Sequence, residues 1–296
     1  MRFIRDIHAE KAAAGKPTIS FEFFPFKTPE GEAIFFGKTL PTLMTARPDY
    51  ASVTYGAGGS TREKTLEIVE QIQNDFSLTT MAHLTCIKHT QAEIDAILEE
   101  ANNRGIRNIL ALRGDPPPGE NWSQTEGGFE FASELVTHIR GRGDFGLAVA
   151  GFPEGHPETQ NRMREMDYLK RKVDAGADYI CTQLFFDNHD FLDFRDRCRL
   201  SGITIPIIAG IMPITTSSGM KRMAELAAGA RFPAKLQRRL AGLESDPEAF
   251  SAAGIAYATE QCRELVSAQV EGLHFYTLNK SGATKQIAAD LDFPGS

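Results

Sequence analysis

The chain has 296 residues, 42% of them hydrophobic and 24% charged, enough material for a large core and a length that α/β barrels often reach as one unit. A formal net charge of −7 argues against a general nucleic-acid binder or a protein held on anionic membranes, but leaves room for small anions gripped locally. The four cysteines, Cys86, Cys181, Cys198 and Cys262, show no C-x-x-C or zinc-type spacing, so the expectation is no metal site and reduced, mostly buried thiols in a cytoplasmic protein.

The N-terminal MRFIRDIHAEKAAAGK lacks the unbroken apolar stretch of a signal peptide, and residues 1–16 read as a helical extension. No apolar run approaches the roughly 20 residues that would span a bilayer. The first strand pattern, TISFEFFP at 18–25, places Glu22 on the face shared with Ser20 and Phe24. An acid pointing into an interior must pair with a cation, take part in chemistry or keep its proton.

Further strand patterns follow at 50–55 (YASVTY), 79–86 (TTMAHLTC), 108–114 (NILALRG), 146–153 (GLAVAGFP), 179–186 (YICTQLFF), 205–211 (IPIIAGI) and 272–279 (GLHFYTLN). They recur about every thirty residues, with roughly double that interval before the last, where an extra helical segment is expected within 232–270. Helix starts lie between them. Thr28-Pro29 and Asp246-Pro247 place a cap before proline, Ser60–Glu63 and Thr90–Glu93 match capping boxes, and Asp187 with Asp190 opens another helix. Gly105, Gly143, Gly176, Gly202 and Gly272 fit left-handed helix ends. Strand and helix in strict alternation imply parallel βαβ units, and eight repeats imply closure: a single (β/α)8 TIM-barrel domain over residues 1–296. GAGGST at 56–61 lacks the third glycine of a dinucleotide fingerprint, and a flexible turn is its plainer reading.

Reactive groups of such barrels sit at the C-terminal strand ends. Thr54, Tyr55, His83, Thr85, Arg113, Asp115, Phe152, Glu154, His156, Gln183, Asp187, Tyr276 and Asn279 all fall there. Each has a plainer reading as well. Glu22 could be ion-paired with Arg113, His83 could be a hydrogen-bonded core residue, and Lys170, Arg171 and Lys172 could be a solvated helix face. His274 reads as structural. Gln183, a neutral amide among apolar neighbours, needs a partner that a polar heterocycle would satisfy.

The motifs SFEFFP, SVTYGA, HLTC, ALRGDPPPG, FPEGHPE, LKRKVDAGAD, TQLFFD and HFYTLN, in order over about residues 18–280, together resemble the methylenetetrahydrofolate reductase family in its short bacterial-type form. The resemblance implies a barrel carrying FAD, without the regulatory domain of the longer eukaryotic enzymes, and self-association into a homo-oligomer. It implies a ping-pong reaction. NADH or NADPH reduces the flavin and leaves, and 5,10-methylenetetrahydrofolate is then reduced to 5-methyltetrahydrofolate. A strong methyl-donor pathway would let the reaction run in reverse. Glu22 matches the family's proton donor to N10, a role suited to an acid kept protonated by an apolar cavity. Asp115 matches an aspartate near flavin and pterin. Thr54, Tyr55, Ala57, His83, Arg113, Gly114, Asp115, Ala132, Phe152, His156, Glu165, Arg171 and Lys172 match cofactor-binding positions. Gln183, Tyr276 and Lys280, with Glu22 and Asp115, match substrate-binding ones. The chain departs from the family pattern at Phe26, Phe152, Ser217, Gly219, Met223 and Lys280, which bears on folate and nicotinamide affinity rather than on Glu22 or Asp115. Two other readings compete: a barrel lyase forming a Schiff base at Lys280, and a non-catalytic flavin- or folate-binding barrel.

Overall fold

Eight parallel strands close into a barrel in sequence order in the computed structural model, which describes all residues except 56–61, 117–118, 160, 228–229 and 292–296. They are β1 (Thr18–Phe23), β2 (Tyr50–Val53), β3 (Thr80–Thr85), β4 (Asn108–Leu112), β5 (Gly146–Gly151), β6 (Tyr179–Leu184), β7 (Ile207–Ile211) and β8 (Gly272–Tyr276). Every one lies inside its expected segment, and all but β7 stop short of the segment's last residues, which turn out into the loops of the C-terminal mouth. The outward face of each strand packs on helices: α2 (Pro29–Ile34), α3 (Leu40–Met44), α4 (Arg62–Phe76), α5 (Gln91–Asn103), α6 (Ala132–Arg140), α7 (Arg162–Asp174), α8 (Asn188–Leu200), α9 (Ser217–Leu226), α10 (Ala234–Leu240), α11 (Pro247–Ser267) and α12 (Gly282–Asp290). A π-helical turn, Phe35–Thr39, joins α2 to α3. Phe21, Val53, Ala82, Leu84, Ile109, Val149, Ile180, Ala209 and Phe275 supply this outer core from the strands.

The expected caps form. Thr28 Oγ1 accepts the Gly31 N–H, Asp187 and Asp246 cap α8 and α11, and Thr90 and Glu93 exchange both bonds of a capping box. The box expected at Ser60–Glu63 and the GAGGST turn fall on residues outside those described. Gly105, Gly176 and Gly202 have positive φ, as expected at helix ends. Gly143 and Gly272 do not, which corrects the sequence reading. Gly272 opens β8, and a Cβ there would stand 2.1 Å from Thr18 Oγ1, so close approach rather than handedness requires glycine.

The N-terminal helix α1 (Ile4–Ala13) closes the bottom of the barrel. Ile4 and Ile7 join Tyr50, Met81, Leu110, Ala148, Tyr179, Cys181 and Ile208 in a separate interior cluster. Asn108 ties the helix down, its Oδ1 accepting Ile4 N–H at 2.9 Å and its Nδ2 donating to Arg2 O at 3.0 Å. The extra segment before β8 proves to be α10 and α11. These helices build a third core with Leu184, Phe186, Ile214 and Phe250. From α11, Tyr257 Oη donates to Phe186 O and Gln261 Nε2 to Phe185 O, bracing the loop after β6.

Candidate active site

Glu22 lies on the inner face of β1 and is 5% exposed. Register pairs it with Ser52 of β2 and Tyr276 of β8. Two imidazoles approach the same carboxylate oxygen: His274 Nε2 at 3.4 Å and His83 Nε2 at 3.5 Å. The acid was expected in a greasy pocket; polar rings flank it instead. Arg113 is not its partner, so the structural ion pair considered from sequence does not form. That guanidinium turns to Glu158, Nη1 to Oε2 2.8 Å.

The two histidines differ sharply. Burial, opposed by Glu22, pushes His83 down to about 4, so its ring is neutral at physiological pH. Burial also works against a charged His274, but Cys181 and Glu22 more than reverse it and lift the ring to about 10. Its Nδ1 lies 2.8 Å from Ser20 Oγ. Sequence reasoning set His274 aside as structural, although its two-residue spacing from Tyr276 already placed it on the inner face.

Beside them, the Tyr276 ring meets His274 edge-on at 5.3 Å, and its hydroxyl donates to Thr182 O at 2.7 Å. Gly210 makes this possible, since a Cβ there would lie 2.9 Å from the Tyr276 ring and 2.4 Å from Thr182 O. Gln183 sits where the β6–β7 register shifts, and Gly210 N–H donates to Thr182 Oγ1 in the same stretch. An irregularity there re-aims a side chain next to the mouth. Gln183 Oε1 accepts its neighbour Leu184 N–H, and with Phe152, Pro153, Glu154, Gly155, Leu184 and Ala230 it lines a small pocket.

The loops after β4 and β5 form one connected rim. Arg113 carries Trp122, the chain's single tryptophan, at 5.2 Å and reaches across to Glu158. Its Nη2 is buried and finds no hydrogen-bond partner among the described residues. Gly114 has φ +85°, and a Cβ would meet Ile87 and Thr85 side chains at 2.6 and 2.9 Å. Asp115 follows in the exposed part of the loop. The Phe152 and His156 rings meet edge-on at 4.7 Å. Glu165, in the first turn of α7, accepts the His156 N–H, while burial and then Arg113 lower the His156 ring.

The remaining expected residues scatter around the mouth. Thr54 follows β2 and its carbonyl accepts from Thr65 Oγ1, while Tyr55 Oη meets His89 Nε2 at 3.1 Å. Ala132 starts α6, half-buried. Arg171 is exposed, 5.8 Å from the Tyr168 ring. Lys172 turns inward, donates to Ala150 O, and is held down to about 8 by burial. Lys280 is exposed beyond β8. Ala57 lies outside the described residues. Of the departures, Gly219 N–H donates the cap bond to Thr216 Oγ1, and Met223 is buried with Leu184 and Phe186 in the core built by α9 to α11.

A cluster missed from sequence joins the rim to the other side of the mouth. Arg231 N–H and Nε both donate to Glu154 Oε1, and Nη2 meets Asp190 Oδ1 at 2.5 Å. Glu154 and Arg231 are 77 positions apart, so no local pattern signals the pair. The four cysteines are buried free thiols. Among the described residues no helix is long and apolar enough to cross a membrane.

A family model described as methylenetetrahydrofolate reductase matches residues 7–292. Methylenetetrahydrofolate reductase (NADH) 1 of Arabidopsis thaliana is 44% identical over 289 residues, covering 94% of this chain and 48% of that protein. This chain therefore spans about half the length of the plant relatives it matches. The 5,10-methylenetetrahydrofolate reductase of Escherichia coli is 39% identical over 277 residues, covering 94% of this chain and 91% of that protein. Among solved structures, a protein of Clostridium thermocellum described as binding two copies of 5-methyl-5,6,7,8-tetrahydrofolic acid shares the fold, with TM-score 0.60, 15% identity and 96% and 98% coverage.

Proposed function

The chain belongs to the methylenetetrahydrofolate reductase family, and we propose that it reduces 5,10-methylenetetrahydrofolate to 5-methyltetrahydrofolate with NADH or NADPH through bound FAD. The observation that carries this reading is Glu22, a nearly buried carboxyl group at the barrel's open end with an imidazole on either side. It is the inward acid of the family motif SFEFFP, in a place where a proton can be stored and delivered.

The rim suits a flavin nucleotide. Arg113 has a buried donor to spare, Gly114 lets the loop turn tightly against Ile87 and Thr85, and Phe152 offers an aromatic ring. Thr54, Tyr55, Ala57, His83, Ala132, His156 and Glu165 complete the motif-matched set. Arg171, exposed beside them, suits the diphosphate, while Lys172 braces the end of β5. FAD, when bound, supplies the hydride chemistry; the chain binds, orients and moves a proton.

Glu22 gives its proton to N10 as the folate's five-membered ring opens to the 5-iminium cation. Asp115 presents negative charge to that cation. Gln183 and Tyr276 position the pterin, Gln183 also meets the nicotinamide when that substrate occupies the site, and Lys280 attracts the folate's carboxylates. Because the two substrates use one face in turn, the kinetics are ping-pong.

Anaerobic titration tests this. NADH or NADPH should bleach a yellow flavin spectrum, and methylenetetrahydrofolate should restore it. Glu22→Gln should leave bleaching intact and slow the restoration by about 10²–10⁴-fold, the usual worth of a general acid. Full folate turnover in that variant would remove Glu22 from the role. Colourless protein, or a flavin that never bleaches, would reject the reductase reading.

A further inference from the structure

The chemistry above asks Glu22 to supply a proton on every turnover, and the structure contains a group built to hold one. We propose that His274 is the proton reservoir of Glu22: its Nε2–H recharges the carboxylate, and Ser20 fixes the ring in the tautomer that allows it. This inference rests on the reading of Glu22 as the acid.

The hydrogen-bond directions carry the argument. Ser20 Oγ donates to Leu273 O, an oxygen that can only accept, at 3.5 Å. In the charged ring its lone pairs accept from Nδ1–H, the nitrogen standing 2.8 Å away, so Ser20 can serve both the carbonyl and an imidazolium. The other nitrogen, Nε2, faces Glu22 Oε2 at 3.4 Å. A bare Nε2 and a bare carboxylate are both acceptors and would repel. One proton therefore belongs between them, and the ring that carries hydrogens on both nitrogens, one toward Ser20 and one toward Glu22, is an imidazolium.

The surroundings favour that charge. His274 is 1% exposed and is faced by Glu22 and Ser20 from β1, His83 from β3, Cys181 from β6 and the edge of Tyr276 from its own strand. Arginine and lysine are absent from that set. His83, the other base near Glu22, is kept neutral and does not compete as a second cation. A buried ring with a carboxylate on one side and a fixed acceptor on the other resembles the orienting pairs of general acid–base catalysis, with the roles reversed.

The transfer balances without any redox partner. The Nε2–H bond breaks and an O–H bond forms on Glu22; that O–H then breaks as N10–H forms and the N10–methylene bond opens. His274 is left neutral, and solvent entering through the mouth returns the proton to the Glu22–His274 pair between turnovers. His274 touches no substrate in this scheme. It is a positioning and storage residue acting through Glu22.

Two measurements on the wild-type holoenzyme and its variants decide the matter. By NMR of 15N-labelled histidine, the His274 ring should stay protonated through pH 8 and should lose its proton at least one pH unit lower in Glu22→Gln. In single-turnover reoxidation by methylenetetrahydrofolate, His274→Gln should slow the reaction more than 10-fold and shift its pH profile by a unit or more, with flavin reduction by NADH unchanged. Ser20→Ala should move both readouts in the same direction by less. A neutral wild-type His274 at pH 7, an unchanged titration in Glu22→Gln, or a wild-type rate and profile in His274→Gln would overturn the reservoir while leaving Glu22 as the acid. Undiminished folate reduction in Glu22→Gln would instead remove the acid itself. The wild-type titration is read on unaltered protein, so poor folding of a variant does not block that arm of the test.

Discussion

Each end of the barrel buries a histidine, and the two behave in opposite ways. At the closed end, His8 of α1 is 4% exposed, packs against the Tyr179 ring at 4.6 Å and has Thr18 Oγ1 at 3.3 Å from Nδ1. Burial alone drives it down to about 3. At the open end His274 is buried at least as deeply, yet it is raised to about 10. Desolvation opposes the charged ring in both places, and the difference lies in the neighbours: Cys181 and then Glu22 raise His274, whereas burial alone acts on His8. The lower layer keeps its histidine neutral, while the upper layer keeps His83 neutral and raises His274.

The contrast can be broken most severely from below. Ile4→Ala removes a fully buried anchor of α1 and should cost about 2–5 kcal/mol of stability, read by chemical denaturation, with turnover per folded molecule retained. A large loss of turnover in still-folded protein would mean that the two ends are coupled.

The pH dependence of stability sharpens it next. His8 binds its proton more weakly folded than unfolded, so its contribution is complete above about 6.5 and is lost as pH falls toward 3. His274 binds more tightly folded, so its contribution is complete below about 6.5 and is lost as pH rises through about 10. Each proton sets a limiting slope of about 1.4 kcal/mol per pH unit. His8→Phe should flatten part of the acid limb, leaving the share due to His83, and Glu22→Gln should flatten the alkaline limb. Denaturation midpoints between pH 4 and 10 would show whether each variant acts on its own limb.

The smallest effect is expected on the outer ring of helices, in the exposed cap after β3. Thr90→Ala removes the capping box of α5 and should cost about 1 kcal/mol with no change in either pH limb or in turnover.

Much of the fold was legible because strand period, capping residues and glycine punctuation are local signals, and all eight strands fall where alternation places them. Gly143 and Gly272 show the limit: glycine at a helix–strand junction marks either handedness or close approach, and sequence does not separate the two. Placement at the mouth was legible where a motif sat at a strand end, as at Glu22, Arg113 and Gln183. It was illegible where function depends on cross-strand meeting. His274 and Glu22 are 252 positions apart and Arg231 and Glu154 are 77 apart, so only barrel closure and the loops above it bring them together. Lys172 was misread for a related reason. Its side chain runs inward to a strand carbonyl, a direction that a run of three basic residues does not reveal.

The helix that seals the floor also governs traffic. With Ile4 and Ile7 wedged among the lower side chains, every molecule that reaches Glu22 must enter and depart by the same doorway. In the proposed reaction the nicotinamide donor and the folate acceptor would compete for one approach, and an excess of either should obstruct the other. Initial-rate plots should show parallel lines that bend upward at high concentration of the crowding substrate.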